Sequence, residues 1–172
     1  VSSLITEEKL DEARQLLRTY SHLYLKEEIQ QEAISRNIGN FTRFLQVSAQ
    51  FNAQRVVYKN IATSSGTPRS TVSHYFDILE DTLIGTRLWE YGKSEKDKSK
   101  PKFYFFDCGV LRALQDRLYD PPTPDELGHL FESFFFHELR KIRDYRTKPH
   151  SFSFWNDKHE IDFLIEKGGQ VL

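Results

Sequence analysis

Trp155-Asn156-Asp157-Lys158-His159-Glu160-Ile161-Asp162-Phe163-Leu164-Ile165-Glu166-Lys167-Gly168-Gly169 decides how the C-terminal part of this chain folds. It reads as a turn, a strand, a Gly-Gly turn and the first two residues of another strand. Within Glu160–Glu166 the apolar residues Ile161, Phe163 and Ile165 alternate, which is the period-two signal of a strand. Asp162 then shares a side with Leu164, so both faces are expected to be partly buried. A buried carboxylate is costly unless something pairs with it. A metal, another cation or a basic side chain is therefore expected beside Asp162.

Two upstream segments complete a pattern. Leu130-Phe131-Glu132-Ser133-Phe134-Phe135-Phe136-His137-Glu138-Leu139 reads as a Phe-rich helix with an acid near its start, and Tyr24-Leu25-Lys26-Glu27-Glu28-Ile29-Gln30-Gln31-Glu32 as a charged helical segment. The strand pattern and the Phe-rich helix resemble the PD-(D/E)XK nuclease-like fold. There a helix carries the first acidic residue, and a strand aspartate is followed across a hairpin by a Glu-x-Lys strand. From about Tyr20 onward the chain is similar to one family, the C-terminal domain of unknown function that follows the AAA+ module in predicted prokaryotic ATPases. The resemblance implies that Glu132 and Asp162 would hold Mg2+ or Mn2+ in an intact parent, with Glu160 adjacent to the motif. It also implies an ATP-binding AAA+ module N-terminal to Val1. The Glu-x-Lys strand is expected beyond Leu172, so no catalytic residue is assigned within this chain.

Composition fits that picture. A chain of 172 residues with 38% hydrophobic and 28% charged residues suits one domain or two small ones with a real core. Its longest aromatic runs, Phe103–Phe106 and Phe134–Phe136, fall far short of the roughly 20 residues of a membrane helix. No signal-peptide layout opens the chain. Cys108 is the sole cysteine, which rules out an internal disulfide and points to a reducing cytoplasm. The chain begins at Val1 and contains no Met, and is read as part of a longer protein.

Charge is distributed unevenly. Residues 33–76 contain no Asp or Glu but carry Arg36, Arg43, Arg55, Lys59 and Arg69, a net of +5. Residues 1–32 hold seven acids against four bases. An acidic helical stretch before a basic module suits one part facing protein and another facing a polyanion.

The periodicity predicts an α+β fold in three parts: a helical linker segment (1–52), a winged helix-turn-helix (53–107) and an α/β module (108–172), which the resemblance makes a truncated PD-(D/E)XK nuclease-like one. Residues 7–34 read as helix, with Leu10, Ala13, Leu16 and Leu17 at helical steps, and Phe41–Phe51 as another. Tyr58–Ser65 and 69–81 read as two helices joined by Gly66-Thr67-Pro68, with Thr67 as the cap and Pro68 in the first position. Val72, Tyr75, Phe76, Leu79 and Leu83 form the apolar stripe of the second. Ile84–Trp89 and Lys102–Asp107 follow as strands enclosing a loop, 93–102, with five Lys against two acids. Asp107 is placed to cap the next helix. Asp120-Pro121-Pro122-Thr123-Pro124-Asp125 is a linker. The helix 125–145 turns Leu127, Phe131, Phe134, Phe135, Leu139 and Ile142 inward, and strand Phe152–Trp155 precedes the final hairpin.

This layout points to double-stranded DNA as a partner. Arg69, Ser70, Ser73 and His74 stand at the start of the second helix, where base edges are read, while Lys96, Lys98 and Lys100 would grip the backbone. Asp77, Glu80 and Asp81 would repel phosphate further along. A protein-docking scaffold with a degenerate nuclease fold is the competing class. A stand-alone transcription regulator is disfavoured, since nothing resembles an effector domain. No Gly-rich loop ending in Lys-Ser/Thr is present, so the chain itself has no ATPase site. The six histidines never fall at a metal spacing, and there is no Cys pair for zinc. His137 and Glu138 read as surface and core-edge residues, and Cys108 as packing.

Overall fold

The computed structural model describes residues 7–24, 38–93, 100–146 and 149–172. At its centre is a short antiparallel hairpin, β1 (Gly85–Leu88) and β2 (Lys102–Phe105), paired in the register Gly85↔Phe105 to Leu88↔Lys102. All four residues of β2 are buried, because both faces of the hairpin are covered. Alternation along β2 sends Phe103 and Phe105 into one core and Tyr104 into another. Gly85 makes the close packing possible: a Cβ there would lie 2.2 Å from the Phe103 ring.

The first core is helical. It joins α2 (Ile38–Ala49), α3 (Tyr58–Ser65) and α4 (Arg69–Asp81) to the hairpin. Phe41 and Phe44 of α2 meet Tyr75 of α4 with ring centroids 4.9 and 5.1 Å apart, and Phe76 reaches Phe103 at 4.8 Å. α1 (Glu7–Thr19) and a π-helical turn, Tyr20–Tyr24, lie on α5 (Cys108–Leu114). The remainder of the predicted helix 7–34 falls outside the described residues, and Leu16 is 69% exposed. Asp107 caps α5 as expected, its Oδ1 accepting from Val110 N at 2.8 Å.

The second core lies between the hairpin and the C-terminal elements. α6 (Pro124–Tyr145) begins with a capping box formed by Thr123 and Glu126, with Pro124 in its first turn. β3 (His150–Asn156) and β4 (Glu160–Lys167) pair antiparallel with an irregularity between Ser153 and Trp155. β5 (Gln170–Val171) returns across Gly168-Gly169, both at positive φ, as the sequence predicts. β3 also bonds to the chain leaving β1, with Phe154 N donating to Trp89 O at 3.0 Å and Tyr91 N to Phe154 O at 2.7 Å. Phe136 of α6 stacks on Phe163 at 5.5 Å and meets Tyr104 at 4.6 Å. The fold is thus α+β, with two small antiparallel sheets.

Several expectations are corrected. Thr67 does not cap α4: Pro68 holds the cap position without a side-chain bond, and the buried Thr67 hydroxyl has no partner. Leu83 leaves the apolar stripe because it adopts φ +60 past the end of α4, where it is 78% exposed; Ile78 takes its place in the core. The inward face of α6 is also different. Leu127, Phe131, Phe134, Phe135 and Ile142 are exposed, while Ser133 and Phe136 are buried. On the buried side Ser133 accepts from buried Asn52 (2.7 Å), whose Oδ1 accepts from Phe105 N (3.0 Å).

Candidate functional site

β2 begins with Lys102, on the same face as Tyr104 and therefore aimed at the C-terminal elements rather than at the helical core. Its side chain is 3% exposed. Nζ donates to Glu132 Oε1 of α6 at 2.9 Å and to Asp162 Oδ1 of β4 at 2.7 Å, with Glu160 Oε1 of β4 at 2.6 Å. Three N–H donors thus meet three carboxylates. The Phe154 ring lies 5.7 Å from Nζ, and the Tyr104 hydroxyl donates to Glu132 Oε1 at 2.5 Å. Burial pushes the ammonium toward its neutral form, but hydrogen bonds to Asp162, Glu160 and Glu132 outweigh this and hold its pKa above the ordinary lysine value. Burial, and then the neighbouring Glu132, push the Tyr104 phenol up, so it remains a donor.

Glu160 and Asp162 stand two residues apart on β4 and so share its side, as the alternation predicts. The expected burial of Asp162 is corrected: its side chain is 51% exposed, and that of Glu160 44%, whereas Glu132 is 15% exposed. The required cation is present all the same, and it is a lysine. The group borders a cleft of about 540 Å³ that also reaches Arg55, Asn60 and His129. Arg55 is turned to buried Glu90 (3.5 Å), which Lys93 also binds (2.6 Å). Arg55 therefore does not belong with the free cations of the acid-poor segment. Among the described residues, no set of three or more His, Cys, Asp or Glu side chains is arranged to hold a metal ion.

The start of α4 is the second place of interest. Arg69, Ser70 and His74 are exposed and Ser73 is half-buried. Arg43 binds Ser65 O at 3.2 Å, just before the turn leading into α4. Arg43, Lys59, Arg69 and Lys100 are exposed and make no ion pair among the described residues. Lys96 and Lys98, like Arg36, lie outside the described residues. Arg87 of β1 changes the electrostatics of the rest of α4. Its Nη2 sits 2.5 Å from both Asp77 Oδ1 and Glu80 Oε2. Burial disfavours the charged guanidinium, but hydrogen bonds to Glu80 and Tyr58 outweigh that and raise its pKa. Arg87 thereby offsets one of the three negative charges expected to repel phosphate, leaving Asp77, Glu80 and Asp81 with a net charge of −2, and Asp81 is exposed.

Sequence reasoning missed Lys102, Tyr104 and Arg87. Lys102 closes a lysine-rich run and opens the strand Lys102–Asp107, and the run Lys102-Phe103-Tyr104-Phe105 is what buries it. His137 is half-buried rather than at the surface. Its Nε2 lies 2.6 Å from Phe105 O, and burial, then the nearby Arg140 and Lys141, lower its pKa and keep it neutral. Burial and then Asp107 raise the Cys108 thiol, which donates to Leu130 O at 3.6 Å, in keeping with a packing role. No helix among the described residues is long and apolar enough to cross a membrane.

Two family models match the chain, and they meet at the proline-rich linker. The model described as a domain of unknown function, DUF4143, matches residues 127–172. A second, described as a domain of unknown function, DUF8612, matches residues 4–120. Lys102 lies in one matched region and its three carboxylates in the other. No curated protein and no solved structure matches the chain. Since the longer match covers most of the sequence, the chain belongs to the DUF8612 family.

Proposed function

We propose that this chain is the C-terminal accessory region of a AAA+-type ATPase and that it holds double-stranded DNA for that motor. In this reading residues 53–107 are a winged helix, α4 is its recognition helix, and the loop between β1 and β2 is its wing. The nuclease-like elements α6 and β3–β5 serve as the platform on which that unit is mounted. The observation that carries the reading is the pairing of Arg87 with Asp77 and Glu80 at 2.5 Å. It offsets one of the three negative charges of Asp77, Glu80 and Asp81, behind a helix start where Arg69, Ser70 and His74 are exposed, so phosphate meets less opposing charge than the sequence alone suggests. The link to a AAA+ module rests on the family resemblance of the motifs around Glu132 and Asp162.

The test is duplex binding by fluorescence anisotropy at two salt concentrations, for the chain and for Arg69→Ala with Lys100→Ala. The reading expects affinity to fall with salt, and the variant to bind more weakly with a shallower slope. Salt-independent binding, or no loss in the variant, rejects it. A protein-docking scaffold is the second reading, favoured by one observation: Phe131, Phe134, Phe135 and Ile142 form an exposed apolar stripe along α6.

A further inference from the structure

Glu132 and Asp162 are the carboxylates that the nuclease-like resemblance would offer to Mg2+ or Mn2+, and Glu160 stands beside them on β4. As arranged here they do not fit a resident divalent ion. One oxygen of each already lies 2.6–2.9 Å from Lys102 Nζ, the range of charge-assisted hydrogen bonds. The ammonium fills the point where the three converge, and Glu132 Oε1 also accepts from Tyr104. A divalent ion drawing on the same oxygens would sit at contact distance from a like charge. Lys102 has little room to withdraw. It is 3% exposed, it is anchored by its strand to the Tyr104–Phe136–Phe154 core, and the Phe154 ring flanks its head group.

We infer that Lys102 is the resident cation of this carboxylate group, reaching across from the other matched region to close the group against Mg2+ and Mn2+. Three carboxylates around one ammonium leave a charge of −2 at the cleft. Taking the lysine away therefore uncovers a divalent-cation site that the wild-type chain withholds. The inference does not depend on the DNA reading, since neither α4 nor the hairpin loop takes part.

The test is Mn2+ titration of the whole chain followed by electron paramagnetic resonance of the free ion, with Mg2+ competition. Wild type is expected to show only weak binding, unchanged by Asp162→Asn or Glu160→Gln, both of which alter half-exposed side chains. Lys102→Met, checked for folding by near-ultraviolet circular dichroism, is expected to bind Mn2+ at least about tenfold more tightly. That gain should disappear in Lys102→Met with Asp162→Asn. Wild-type binding that is saturable and weakened by Asp162→Asn overturns the inference, as does a folded Lys102→Met with no gain. If Lys102→Met does not fold, the wild-type comparison with Asp162→Asn and Glu160→Gln decides by itself.

Discussion

Replacing Lys102 by Met keeps most of the side-chain volume, so the cost isolates the loss of charge rather than the opening of a cavity. Removing one partner of a fully buried ion pair costs about 3–5 kcal/mol. Here the ammonium is buried, but Glu160 and Asp162 are 44% and 51% exposed and can recover hydration. Glu132, at 15% exposure, is the carboxylate left stranded. The expected loss is therefore about 2–3 kcal/mol, below the fully buried figure. Urea unfolding followed by the fluorescence of Trp89 and Trp155 measures it, and Glu132→Gln in the Lys102→Met background should restore part of the loss. The pH dependence has a definite sign. A lysine whose folded pKa is raised gives its full contribution below the unfolded value, about 10.4, and loses it only as pH rises through the folded value. The gap between wild type and variant should hold constant from neutral pH to about pH 9. A loss under about 0.5 kcal/mol, the size of an exposed pair, would refute the reasoning, as would a gap that closes before pH 9.

Other consequences are local. Leu83→Gly should stabilise the chain by about 0.5–1 kcal/mol in the same urea assay, since Leu83 is exposed at φ +60 and glycine takes that backbone without strain. Gly85→Ala should destabilise by about 1–3 kcal/mol, because the new methyl meets both the Phe103 ring and the Tyr104 carbonyl oxygen. Arg87→Met should cost about 2–3 kcal/mol by leaving Asp77 and Glu80 without their shared partner, a figure reduced for the partial exposure of both acids. The same variant should weaken duplex binding measured by anisotropy, since it returns negative charge to α4; unchanged affinity would separate Arg87 from the DNA reading.

Much of the architecture is legible in the residues. The helices 58–65 and 69–81 agree with the observed bounds of α3 and α4, and the need for a cation beside Asp162 follows from a carboxylate placed on an apolar strand. The identity of that cation is harder to read, because Lys102 stands at the end of a run of lysines that look uniformly solvated. Its strand neighbours hold the missing signal: in Lys102-Phe103-Tyr104-Phe105 no polar face exists, so the lysine must be buried and must find acids. The face of α6 is misread for a different reason. Phe131, Phe134 and Phe135 outweigh Ser133 on any hydrophobic scale, yet Ser133 is the residue that buried Asn52 binds. A side-chain hydrogen bond between residues 81 positions apart leaves no periodic trace. Thr67 likewise looks like a cap by type, while the proline after it takes the cap position.

The central claim is that the start of α4 faces a phosphate backbone. The most direct measurement is the slope of log affinity for a duplex against log salt, for wild type and for Arg69→Ala. The account predicts a negative slope in the wild type, shallower by about one unit in the variant. Identical slopes in the two proteins, or none in either, would contradict it.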